Sequence, residues 1–529
     1  MTATVPGPNP KTARMVRGAC PALASPMMTG DGLLARIGLD YAISPADLVR
    51  IGALARAHGN GLIDISARGN FQVRGLSAAS ARALEEDVRR LNLPLRDGVP
   101  VETGVLAGFD RQEVADPRPL AADIRNFVDE FGLSQRLAAK FAVVVEGGGH
   151  LPLHGLLADI RLVAVGREAG LFWRMSLGGT AGSGRVVGLV PDADAKTCAT
   201  LVISRIAAMD VPVRGRMLDP VEVRGWLGGV VIDDDGGVVE QVPMAFGLIA
   251  LSDGADDSSF GRASECERQA QPISPLEGEM SGRTEGGGLG AKAAFDTLAA
   301  PPIPPSVTLV TSPPQGGRSL RVCRTADTPP LGRDAARIGI PFGQCPAETL
   351  IALGRQAQAA GIESIRPAID HSLVFFGNET ACRAMIEFSQ DLIISPNDPR
   401  SRIAACPGMP ACNSASLDTR ALGKTAARDV ADLLDGSFTL HLSGCTKGCA
   451  HPAKALVSLV GMNDRTALIF GGKTSDMPLT SIDQGQEASA LANLATLVRL
   501  ERGKGETTRD CLNRLGSAQV ARAFSQGPL

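Results

Sequence analysis

Apolar residues recur along this chain in two rhythms, and each rhythm occurs twice. Leu48, Ile51, Leu54 and Ala55 share one face of a 3.6-residue repeat, predicting a helix over 47–58 that follows Ser44-Pro45 and stops at Gly59. Arg36-Ile37-Gly38-Leu39, eight positions before Ser44, predicts a strand. The arrangement returns at a constant offset of 301: Arg337-Ile338-Gly339-Ile340 stands eight positions before Cys345-Pro346, and a second helix is predicted over 347–360, stopped by Gly361. Each helix leads into two short strands, 62–67 and 71–74 in the first copy and 363–365 and 373–376 in the second, and then another helix. The pattern predicts a duplicated α+β unit, A and A′.

A second unit, B, also occurs twice. Strands are predicted at 141–145, 160–165 and 171–176 with a helix near 195–209; strands at 455–460 and 467–470 precede a helix near 487–502. The chain then divides into 14–100, 101–250, an insert at 251–334, 335–395 and 396–525. The insert is dense in Gly, Pro, Ser and charge, and disorder is expected there. A duplicated chain of this kind is expected to fold with pseudo-twofold symmetry and to place its site between the copies.

Composition narrows the function. Lys plus Arg number 53 against 56 Asp plus Glu, a net charge of −3, so no global positive field is present to hold nucleic acid or an anionic bilayer. The longest apolar run, 242–251, falls short of the roughly 20 residues of a membrane helix. The N-terminal segment has prolines where a signal peptide needs its apolar stretch, so a cytoplasmic protein is expected. In that reducing compartment, 11 cysteines point to metal rather than to cross-links.

Four of them are grouped. Cys406-Pro-Gly-Met-Pro-Ala-Cys412 and Cys445-Thr-Lys-Gly-Cys449 form two tight pairs, with Gly408, Gly444 and Gly448 allowing sharp turns around the sulfurs. Two such pairs suit a [4Fe-4S] cluster. The rivals are four buried free thiols and a structural zinc, whose usual gaps of about 2–4 residues the first pair does not match. Cys20, Cys198, Cys266, Cys323, Cys345, Cys382 and Cys511 are isolated and read as incidental. Glu146-Gly147-Gly148-Gly149 lacks the order of a dinucleotide loop and reads as a hairpin turn, and no nicotinamide or flavin fingerprint appears elsewhere.

ACPGMPAC, LSGCTKGCAHP, the duplicated unit and Ser66-Ala-Arg68-Gly-Asn70-Phe-Gln72 together resemble the nitrite and sulfite reductase superfamily. The resemblance implies a duplicated fold of ferredoxin-like half-domains and haemoprotein-type α+β domains, a [4Fe-4S] cluster on Cys406, Cys412, Cys445 and Cys449, and Cys449 as the bridge to any sirohaem. Departures point to a branch. Lys140-Phe141-Ala142 stands where reductases carry Lys-Phe-Lys, Val99 and Pro100 replace an Arg-Asn pair, His371 replaces a Gln, and His451 follows the last cysteine pair. A compact anion reduced by six electrons needs that cationic cage, so its erosion argues against sulfite or nitrite reduction.

The eroded cage is similar to the precorrin-3B synthase branch. That resemblance implies an O2-dependent monooxygenase acting on precorrin-3A, giving a C20 hydroxyl and a γ-lactone. It also implies a mononuclear non-haem iron beside the cluster, NADH as formal reductant and an external electron donor. A substrate rich in carboxylates suits guanidinium forks. The candidates for substrate binding are Arg68, Asn70, Gln72, Arg136, Lys140 and Arg366, with Arg74 nearby. The second iron would draw on His58, His150, His154, His371, His441 and His451, among which His150, His154 and Asp159 have suggestive spacing but no assignable role. Two other functions fit the same motifs: a sirohaem-dependent sulfite or nitrite reductase, and a non-catalytic iron-sulfur electron carrier or tetrapyrrole-binding protein.

Overall fold

The structure, a computed structural model, describes residues 21–96, 98–234, 246–250 and 334–526. The expected disorder of the insert and the cysteines at 20, 266 and 323 lie outside the described residues.

In unit A, β1 (Met27–Thr29) and β2 (Gly32–Ile37) form a hairpin, followed by α1 (Pro45–His58), β3 (Leu62–Ile65), β4 (Phe71–Leu76) and α2 (Ala78–Arg90). Helix α1 starts two residues earlier than the apolar pattern alone indicates, because its cap is polar. Ser44 Oγ accepts from the Asp47 N–H at 3.1 Å and the Asp47 carboxylate accepts from the Ser44 N–H at 3.2 Å. Unit B contains β5 (Val101–Thr103), α3 (Arg118–Glu130), β6 (Val143–Glu146), β7 (Ile160–Arg167), β8 (Gly170–Leu177), β9 (Arg185–Pro191), α4 (Asp192–Ala207) and α5 (Pro220–Leu227). Its strands stand in sequential order; β5, β6 and β7 are parallel and the rest antiparallel. The glycine run after Glu146 is therefore not a hairpin turn. It opens a crossover, the connection that parallel neighbours require.

Unit A′ comprises β10 (Gly247–Ala250), β11 (Asp334–Gly339), β12 (Gln344–Pro346), α6 (Ala347–Ala360), β13 (Ser364–Ala368), β14 (Ser372–Gly377) and α7 (Glu379–Phe388). Its sheet order, β10-β11-β14-β13, repeats β1-β2-β4-β3. Ala250 pairs with Asp334 and Gly247 with Arg337, so the insert joins the two strands of one hairpin inside A′. The boundary read at residue 250 gave β10 to B; its hydrogen bonds give it to A′. Unit B′ adds β15 (Ile403–Ala405), α8 (Thr419–Asp429), β16 (Leu440–Ser443), β17 (Ala455–Met462), β18 (Arg465–Gly472), β19 (Thr480–Asp483), α9 (Glu487–Glu501) and α10 (Thr508–Gln526). Its sheet repeats the strand order and the parallel-then-antiparallel pairing of B.

The copies trade strands. Gln344, Cys345 and Pro346 of β12 pair with Asp64, Ile63 and Leu62 of β3, extending the sheet of A. In return Ile43, the counterpart of Gln344, and Ile365 of β13, the counterpart of β3, exchange two backbone hydrogen bonds of 2.8 Å. Helices α1 and α6 pack closely where they lack side chains: a Cβ on Gly52 would lie 2.8 Å from Ile351 Cγ1, and one on Gly354 would lie 2.7 Å from Val49 Cγ2. One apolar core, with Leu48, Ile51, Leu350 and Leu353 at its middle, serves both A units. B and B′ keep separate cores, around Trp173 and Val202 and around Leu459 and Leu494.

Candidate functional site

Parallel strands carry their neighbours' carboxyl ends to one edge of a sheet, where ligands commonly sit. Cys406 directly follows β15 and Cys445 follows β16 by two residues, so both cysteine loops leave that edge of B′. Local chemistry holds them there. The Gly444 N–H donates to Cys406 Sγ at 3.1 Å, the Ser443 hydroxyl to the Cys445 carbonyl at 2.7 Å, and the Cys412 N–H to the Gly408 carbonyl at 2.9 Å. Gly408 and Gly448 both turn at φ +62°, and a Cβ on Gly444 would come within 2.5 Å of Ala415 Cβ. Cys406 is buried, Cys412 and Cys445 are half-buried and Cys449 reaches solvent. Desolvation within the loops, and then the charges of Cys406, Cys445 and Cys412, push the Cys449 thiol up to about 11. The four sulfurs thus sit near enough to feel one another.

They are not arranged around one point: among the described residues no three His, Cys, Asp or Glu side chains are placed to hold a single metal ion. A zinc ion would demand that convergence, with every sulfur about 2.3 Å from it. A cubane would bind each thiolate to a different iron, a donor set that two cysteine pairs on neighbouring loops could supply. The same finding leaves a mononuclear iron without a ligand set among the described residues.

Three of the histidines are held by close polar partners, while His441 Nε2 is buried without one among the described residues. His58 meets Asp87 at 2.8 Å, and His150 Nδ1 lies 3.1 Å from both Asp110 carboxylate oxygens. His371, at φ +58°, places Nδ1 2.6 Å from the Ile65 carbonyl. Asp159 is bound to Arg214 and to the Gly215 and Ala142 amides, a structural role that removes it from His150 and His154. Burial lowers the His154 pKa below the ordinary imidazole value. His441 and His451 stack edge to face at 5.5 Å beneath the second cysteine loop; burial, then His451, holds His441 down at about 3.

A polar pocket opens where A, B and A′ meet. Arg68, Gly69 and Arg96 come from A; Glu102, Thr103 and the apolar trio Leu151, Leu153 and Leu156 from B; and Arg366 to Ile369 from A′. Arg68 is exposed at its edge. Arg366 donates to the Gly104 carbonyl at 3.1 Å and to Thr103 Oγ1 at 3.2 Å, while burial and the adjacent Arg96 push it down to about 10. Arg96 is spoken for by Asp40, Glu102 and the Leu39 carbonyl.

The other candidates are placed elsewhere. Asn70 is buried, its amide donating to Ser66 Oγ at 3.3 Å across a turn, and half-buried Gln72 lies between Arg36 and Asp64 in the sheet. Arg136 and Lys140 stand in the segment that enters β6, at the amino ends of the parallel strands, whereas the pocket is built from their carboxyl ends. Sequence reasoning missed Arg96 and Glu102, which carry no motif. The apolar Leu151, Leu153 and Leu156 in a Gly- and Pro-rich connection were the one available signal.

Arg74 is buried, and its guanidinium spans Asp31 and Asp64. Its Nη2 also donates to the carbonyl of Ala411, inside the first cysteine loop, at 2.7 Å. The first cysteine loop of the second copy therefore rests on the sheet of the first.

Residues 26–91 match the model of the nitrite/sulfite reductase ferredoxin-like half domain. Over 520 residues, 97% of this chain and 96% of the relative, the sequence is 34% identical to a precorrin-3B synthase from Sinorhizobium sp. The fold is similar to that of the Mycobacterium tuberculosis NirA protein, with a TM-score of 0.60 at 15% identity over 92% of this chain and 84% of that one.

Proposed function

The chain belongs to the precorrin-3B synthase family, and on that premise we propose that it oxidises precorrin-3A to precorrin-3B with O2. The balance is one oxygen atom into the C20 hydroxyl, the other into water, and two electrons from NADH delivered through a separate carrier. The observation supporting redox chemistry is the set of four thiols on two loops at the carboxyl edge of B′. A [4Fe-4S] cluster on Cys406, Cys412, Cys445 and Cys449 would supply electrons singly, as spin-restricted O2 requires.

The chain's own residues contribute binding. Arg68 offers a guanidinium fork to a substrate carboxylate at the edge of the pocket. Arg366 and Arg96, hydrogen-bonded within the pocket wall, add positive potential to the same site. Leu151, Leu153 and Leu156, all buried, form the apolar floor of the pocket.

The test is turnover of precorrin-3A by anaerobically purified protein given reductant and then 18O2. One labelled oxygen in the product is expected; unlabelled product would overturn the assignment. Iron and acid-labile sulfide are expected at about four each per chain.

A further inference from the structure

We infer that Arg74, in the first copy, is a positioning residue for the cluster that the second copy holds. The inference rests on the proposed cluster and goes beyond it. Arg74 lies on β4 and is 2% exposed. Nε and Nη2 grip Asp31 at 3.0 and 2.8 Å, and Nη1 reaches Asp64 at 3.0 Å. Asp64 also accepts from Arg420 of α8 at 3.2 Å and from Gln344 of β12 at 2.8 Å. Two carboxylates and two guanidiniums balance, so the network is a neutral clamp with parts from A, A′ and B′.

Its outward contact is the Ala411 carbonyl. That oxygen accepts from Arg74 Nη2 at 2.7 Å and from the Gly30 N–H at 3.1 Å. Gly30 is needed at this spot: a Cβ there would lie 2.3 Å from the Pro410 carbonyl oxygen. The Ala411 carbonyl and the Cys412 N–H share one peptide plane, and the N–H is bound to the Gly408 carbonyl. Fixing both ends of that plane fixes the N–Cα bond of Cys412, the axis about which its side chain is carried. A buried charged hydrogen bond from the first copy thus aims one sulfur of the second.

The test uses the full chain reconstituted anaerobically with iron and sulfide, comparing Arg74→Met, Arg74→Lys and Gly30→Ala with wild type. Iron and sulfide content, the electron paramagnetic resonance signal of the reduced protein, its midpoint potential and the rate of iron loss to a chelator are measured, with circular dichroism as the check of folding. Arg74→Met is expected to lose iron about ten-fold faster, as loss of a charged hydrogen bond implies, with an altered resonance signal and potential. Arg74→Lys, which keeps the charge but not the fork, should fall between. Gly30→Ala presses on the loop without touching the ion network and should reproduce the cluster changes, which keeps the test decisive should Arg74→Met fail to fold. Folded variants with wild-type iron retention, signal and potential would overturn the inference while leaving the cluster in place. Wild-type protein without iron and sulfide would instead overturn the cluster reading itself.

Discussion

At the carboxyl ends of β5 and β6, the loops of unit B are fastened by their own side chains. Arg161 is buried, pairs with Glu146 and donates to the carbonyls of Leu153 and Leu156, while Asp110 holds the ring and the backbone of His150. At the equivalent ends of β15 and β16, unit B′ has Ser443 on the strand that carries Glu146 in B, and four sulfurs in the loops that follow. Among the described residues no buried ion pair of this kind braces the sulfurs; Lys447, bonded to Ser414, only partly offsets the upward push on the Cys449 thiol. Thiolates brought together without metal repel one another. One scaffold, duplicated, thus ties its loops with a buried ion pair on one side and carries four thiols in the corresponding loops on the other.

Four substitutions or titrations break or sharpen this contrast. Cys412→Ser or Cys445→Ser should strip iron and sulfide and lower product formation at least about a hundred-fold, while His150→Ala in the opposite copy should keep its metal, as read by iron and sulfide analysis. Loss of iron from His150→Ala would erase the distinction. Arg161→Met should destabilise the chain by about 3–5 kcal/mol in a urea titration, because it strands the buried Glu146 carboxylate. Iron per folded chain should not change. A smaller effect is expected from Arg68→Ala: KM for precorrin-3A rising about ten-fold with kcat nearly kept, the pattern of a lost binding contact.

The fourth is a pH dependence of opposite sign in the two copies. Burial pushes Glu113, beside Asp110 in B, up to about 8, above the ordinary carboxylate range. The folded chain keeps a proton that the unfolded chain releases, so this group's stabilisation is present below about pH 4.5 and is lost as pH rises toward 8. His441 in B′, held at about 3, gives the reverse: the unfolded chain takes a proton first, and stability is lost as pH falls from 6.5 toward 3. Denaturation midpoints of Glu113→Gln and His441→Leu across pH 4–8 should each flatten one of these slopes.

The repeated rhythm of apolar residues made units A and A′ legible, since Leu48 and Ile51 in one copy and Leu350 and Leu353 in the other are local, periodic signals. The cysteine spacing did the same for the candidate cluster loops. What escaped were contacts between distant segments. Strand β12 is three residues long and pairs with a strand 280 positions away, which no local pattern announces. A glycine run serves a hairpin or a crossover equally well, so the Gly147 to Gly149 turn was misread. Arg68 and Arg74 are the same letter six positions apart, yet one edges a pocket and the other is sealed among carboxylates. Only the turn at Gly69, φ +70°, and the pleat of β4 separate their fates.

The reciprocal pairing of Ile43 with Ile365 and of Gln344 with Asp64 means that neither copy is a finished object. A fragment carrying residues of one copy alone would present a bare sheet margin and half of a shared interior, the condition for sticking to its own kind. A single-copy ancestor with this topology could have closed itself only by embracing a twin, so the present polypeptide has the anatomy of a homodimer whose partners have been fused into one molecule and have since diverged in duty.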